Sequence, residues 1–166
     1  MSDTSRKTTV IDGAEQIDLN SFMPYRIVML GHEVSKVLST AYVDEGLTTA
    51  EWRVLAAVGQ ADMMAARDVV ALTPMDKMAV SRAVASLEEK NLVERQADVS
   101  DRRVLMLLLS PNGRTLYNII AARALSIEAG LLATLDAGEL KMFRTIIEKL
   151  EQRSIDDRNR IELETE

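Results

Sequence analysis

The sequence predicts a mainly α fold that carries one small β-hairpin. Three observations lead there. Apolar residues recur at helical spacing along both ends and the middle of the chain, aliphatics are plentiful, and aromatics make up only 4%. Capping signals punctuate these stretches: Thr48 with Glu51, Asp76, Ser110 before Pro111, and Asp136 with Glu139. Only one region reads as paired strands, Leu92–Arg95 and Val104–Leu109, around a polar, arginine-rich turn.

Each element follows in order. Residues 1–18 are polar and weakly patterned and predict a loose N-terminal arm. Between Leu19 and Tyr42, Phe22, Met23, Ile27, Leu30, Val34, Val37 and Leu38 mark a first helix. Pro24 fits only a first turn, so the helix starts near residues 20–23, and Gly46 closes the 19–46 segment. Thr48 and Glu51 open a second helix with Trp52, Leu55 and Val58 inward; Met63 and Met64 after it read as loop or core filler. A short helix, Asp68–Leu72, is broken by Thr73-Pro74. Asp76 caps the next, whose inward residues are Val80, Val84 and Leu87, and Asn91 stands where a left-handed cap is wanted. After the hairpin, Ser110-Pro111 starts a long helix through Tyr117, Ile120, Ala124, Ile127 and Leu131. A last helix uses Leu140, Phe143, Ile147 and Leu150 and ends near residue 155, leaving 156–166 as a charged tail. The expected organisation is therefore an arm (1–18), a first helix (19–46), a central domain (47–110), a helical pair (111–155) and the tail.

Composition narrows the function. His32 is the only histidine and there is no cysteine, so disulfides, thiol chemistry and a His/Cys metal site are excluded. No catalytic triad, phosphate loop or dinucleotide fingerprint is present, so no enzymatic activity, metal or cofactor is expected. No apolar run approaches the roughly 20 residues that span a bilayer, and the N-terminus lacks a secretory apolar core. The expectation is a cytoplasmic protein with no membrane partner. Net charge is −6, with the excess at the two ends; residues 67–103 carry seven basic and seven acidic side chains. A nucleic-acid partner would then depend on which charges face outward.

In the stretch ARDVVALTPMDKMAVSRAVASLEEKNLVERQADVSDRRVLMLLLS, residues 66–110, Lys77, Met78, Ser81, Arg82 and Ser86 lie away from the apolar face of one helix. Serine reads base edges, arginine forks onto guanine and lysine suits phosphate. The turn that follows holds Asp98, Asp101, Arg102 and Arg103. A helix for the major groove beside a cationic hairpin for the minor groove suits double-stranded DNA.

The pieces LTTAEWRVL (47–55), DKMAVSRAVASLEEKNLVER (76–95) and DVSDRRVLMLLLSPNG (98–113), with a helix before and a helix pair after, resemble the MarR family of bacterial transcriptional regulators. Asn91 replaces the family's usual glycine, and Ser110 its usual threonine. The resemblance implies a winged helix-turn-helix domain plus N- and C-terminal dimerisation helices. It implies a homodimer that acts as a repressor on a pseudo-palindromic operator. Asp101 would hold the guanidinium of Arg103, and Arg103 would enter the minor groove. It further implies release of DNA by a small, often aromatic effector bound between arms and winged domain. Tyr25, Arg26, Met29, His32, Trp52 and Tyr117 are the corresponding candidates, Arg26 suiting a ligand carboxylate. The same residues also suit a plain helical core. The lack of cysteine argues against the family's peroxide-sensing branch, and the poverty in His and Cys against its zinc-sensing branch. A winged-helix module for protein contact, without DNA binding, is the alternative; the balanced charge of 67–103 is its support.

Overall fold

The computed structural model describes residues 9–11, 14–97 and 105–165. They divide into two compact units, one up to Ala124 and one from Leu125. The first unit begins with a short antiparallel hairpin, β1 (Thr9–Ile11) and β2 (Ala14–Gln16), where a loose arm was expected. Helix α1 (Met23–Ser39) starts with Pro24 in its first turn and leads through a 3-10 turn (Val43–Glu45) to Gly46, whose φ of 72° closes the corner.

Helix α2 (Thr49–Val58) opens with the expected capping box: the Glu51 backbone N–H donates to the Thr48 hydroxyl at 3.2 Å, and the Thr48 N–H to the Glu51 carboxylate at 2.7 Å. It is buried almost all round, with Val54 and Ala57 joining Trp52, Leu55 and Val58. A two-residue strand, β3 (Met64–Ala65), then pairs with the hairpin, so Met64, expected as loop or core filler, is a half-buried sheet residue. Helix α3 (Ala66–Leu72) starts two residues earlier than its apolar pattern indicated.

Helix α4 (Lys77–Glu89) packs against α2 and α3 through Val80, Ala83, Val84 and Leu87. Each large side chain so buried contributes about 2 kcal/mol. The helix ends in a Schellman arrangement: Leu92 N–H reaches the Leu87 carbonyl and Asn91 N–H that of Glu88, both at 2.9 Å, with Asn91 at φ 55°. Strands β4 (Val93–Ala97) and β5 (Leu105–Leu109) pair antiparallel from Val93↔Leu109 to Ala97↔Leu105, in a three-stranded sheet of order β3-β5-β4. The fold is the predicted one, a helical domain with a small antiparallel wing.

Helix α5 (Pro111–Leu132) starts at Ser110, whose hydroxyl accepts from the Gly113 N–H at 2.9 Å and donates to the Asn91 carbonyl at 2.6 Å. Gly113 lies so close to the Leu92 carbonyl that no side chain fits there. Within the first unit α5 buries Ile120, and Arg123 donates to the Ala41 carbonyl at 3.3 Å and the Glu45 carboxylate at 2.7 Å. In the second unit α6 (Ala137–Thr165) is opened by the expected Asp136–Glu139 pair. It does not stop near residue 155. Ion pairs Arg153–Asp157 and Arg160–Asp157, one helical turn apart, carry it through the charged segment.

The two helices expected to dimerise keep their apolar faces exposed in the single chain. Met23, Ile27, Val28, Leu30 and Val37 are open on α1, and Met142, Phe143, Ile146, Ile147 and Leu150 on α6.

Candidate nucleic-acid interface

The helix-turn-helix is made by α3 and α4. Thr73, extended because Pro74 follows it, bonds back to the Val69 carbonyl at 2.8 Å and closes α3. Asp76 then accepts the Ala79 N–H at 2.7 Å and starts α4. The buried stripe of α4 leaves Lys77, Met78, Ser81 and Arg82 exposed at its N-terminal half. Met78 is 64% exposed, although it is apolar.

Ser86 departs from that group. It is half-buried, and its hydroxyl donates to the Glu51 carboxylate at 2.6 Å. Four residues turn a helix about 40° past a full circle. The side chain that follows Arg82 along the face therefore swings toward α2.

Glu51 gathers more than its cap. It is 3% exposed, and one carboxylate oxygen accepts from both Ser86 and the Lys90 ammonium, the latter at 2.6 Å. Lys90 also donates to the Gly46 carbonyl at 2.8 Å. Burial alone would push the Glu51 carboxyl upward. The hydrogen bonds from Lys90, Ser86 and Thr48 outweigh it and hold the group at about 2, against an ordinary 4.5. The Thr48–Glu51 spacing revealed the cap; nothing local revealed partners 35 and 39 residues away.

Between α3, α4 and the wing lies an open cleft of about 360 Å³. Val70, Val80, Val84, Leu105 and Leu107 line it together with the polar side chains of Arg67, Lys77, Ser81 and Arg95. Arg95 is held by Glu88 at 2.8 Å. Arg67 and Arg95 did not stand out in the sequence, because position on a short helix and on a strand fixes where they point. The wing tip residues Asp98, Asp101, Arg102 and Arg103 lie outside the described residues.

Residues 45–104, from the 3-10 turn through the wing, match the model of the MarR family. This stretch is a MarR-family domain. The repressor Rv2887 of Mycobacterium tuberculosis, a helix-turn-helix transcriptional repressor, is 29% identical over 130 residues, covering 78% of this chain and 91% of the relative. A MarR/EmrR family transcriptional regulator from Acinetobacter superimposes with a TM-score of 0.77 at 27% identity, covering 84% of this chain and 99% of that one. CouR from Rhodococcus jostii, solved bound to p-coumaroyl-CoA, superimposes at 0.73 with 23% identity, covering 81% and 95%. The comparisons thus place the chain beside DNA-binding transcriptional regulators of the MarR family. These relatives are transcriptional regulators.

Of the side chains that the MarR resemblance offered for an effector, two meet. Trp52 stacks between Tyr42 and Tyr117, with ring centroids 5.7 and 6.3 Å away. Trp52 is buried in that stack, and Arg114 covers the outer ring of Tyr117 at 5.6 Å while donating to the Gly59 carbonyl. Tyr25, Arg26, Met29 and His32 are instead exposed on α1. None of the six lines the cleft beside α4.

Proposed function

We propose that this chain is a homodimeric repressor. It holds a pseudo-palindromic operator through two copies of α4 and of the wing, and it releases DNA when a small aromatic or carboxylate-bearing effector binds. The observation that carries the reading is the division of α4. One side is sealed by Val80, Ala83, Val84 and Leu87, and the other presents Lys77, Met78, Ser81 and Arg82 to solvent. Arg82 forks onto a guanine edge, Ser81 bonds a neighbouring base, Met78 meets a thymine methyl and Lys77 takes a phosphate. At the wing, Arg103 enters the minor groove, steadied by Asp101 and flanked by Arg102.

Dimerisation is supported by the apolar faces that α1 and α6 leave open. The effector reading is supported by the cation and aromatics together on α1, Arg26 with Tyr25, Met29 and His32, and by what CouR binds. The test is to select duplexes from a random library with the purified protein. Affinity is then titrated across salt, and a panel of aromatic carboxylates and their CoA thioesters is added. The expected result is an inverted-repeat duplex, a linear fall of log K with log salt, and displacement by at least one panel member. Failure to select any duplex would leave the protein-contact module as the function.

A further inference from the structure

The Glu51 cluster does more than cap α2. Glu51 uses one oxygen for its own helix, accepting the Thr48 N–H, and the other for α4, accepting Ser86 and Lys90 one turn apart. Lys90 continues the connection to Gly46, at the corner that leads back to α1. A single buried carboxylate thus fixes two points on α4 against the start of α2. Apolar packing at Val80, Val84 and Leu87 sets how deep α4 sits but resists sliding and rotation weakly, since it is not directional. Short, charge-assisted bonds at two successive turns are directional and oppose both motions.

We propose that Glu51 is a positioning residue for DNA recognition, holding α4 in register through Ser86 and Lys90 so that Arg82 and its neighbours meet the bases. The proposal rests on α4 being the reading helix. Glu51 is buried and cannot touch DNA, so any effect of its replacement on DNA is transmitted through α4.

Charge counting and positioning predict opposite signs. Glu51→Gln removes a negative charge from a protein that binds a polyanion, which by charge alone tightens binding. Under positioning it weakens binding, because an amide has one oxygen where the carboxylate uses two. Glu51→Gln, Ser86→Ala and the double variant are measured against a duplex selected by the wild type and a scrambled duplex of equal length. Measurements are made well below each variant's thermal midpoint, with Arg82→Ala as control.

The expected result is a loss of about tenfold on the selected duplex for each single variant, equal to about 1.4 kcal/mol. The scrambled duplex should change less than about threefold, and the double variant should be no worse than the weaker single, as for two ends of one link. Unchanged or tighter binding of the folded variants, equal weakening on both duplexes, or full additivity overturns the proposal. If Glu51→Gln does not fold, Ser86→Ala alone carries the same decision. If Arg82→Ala weakens selected binding and the Ser86 and Glu51 variants do not, only the positioning role fails. If Arg82→Ala changes nothing, α4 is not the reader and both readings fall.

Discussion

Arg82 and Ser86 are one turn apart on α4 and face different tasks. Arg82 is exposed, and its removal leaves the buried stripe intact. Arg82→Ala is therefore expected to cost about 1–3 kcal/mol in binding to a selected duplex, with loss of preference at one base position and no change in thermal midpoint. Gel-shift titration beside a melting curve checks this. Glu51 makes a different prediction, one of stability. Its folded value of about 2 lies below its ordinary 4.5, so folding releases a proton in that range. Its contribution is complete above about pH 4.5, on the order of 3 kcal/mol, and is lost as pH falls toward 2. Urea midpoints of wild type and Glu51→Gln should differ at pH 7 and converge only as pH falls to about 2. A constant difference would remove the charge from the explanation. The sequence showed half of this residue. Thr48 lies three positions away, and such a spacing is readable; Ser86 and Lys90 meet Glu51 only because α2 and α4 pack together.

At the scale of elements, caps and apolar stripes were the most legible features because both are local. Asp76, Ser110 and Asp136 each accept the backbone N–H that their position called for. Where the reading missed, interactions across or along the chain decided. Strand β3 is two residues long and exists only because β5 lies beside it. The end of α6 has a polar composition that reads as a tail, yet ion pairs one turn apart sustain the helix. The junction of α4 and β4 gives an element-scale prediction. Asn91 sits at φ 55°, and its helix end also receives the Ser110 hydroxyl. Asn91→Gly should hold or slightly raise stability, whereas Asn91→Val should lose about 1–2 kcal/mol, the cost of a branched residue in the left-handed region. Denaturant unfolding of the two variants checks the order, and equal stability would mean that the cap relaxes.

For the whole molecule, the open faces of α1 and α6 lead to a prediction about the state in solution. So many exposed large apolar side chains on two helices are unusual for a lone chain. Light scattering at micromolar concentration should give twice the 18.4 kDa subunit mass. A stable monomer would remove the two-lobed reading of an operator. The sequence placed these stripes on their helices, and the family resemblance gave those helices to pairing; an amphipathic pattern gives the apolar side and not what covers it. The contacts proposed for pairing lie on α1 and α6, while the contacts proposed for reading DNA lie on α4 and the wing. If pairing and reading are divided in this way, a subunit with a damaged α4 should still assemble with an intact one, and the mixed pair should grip only half a site. In a cell carrying both alleles, such a lesion is then expected to be dominant negative, and a lesion that abolishes pairing to be recessive.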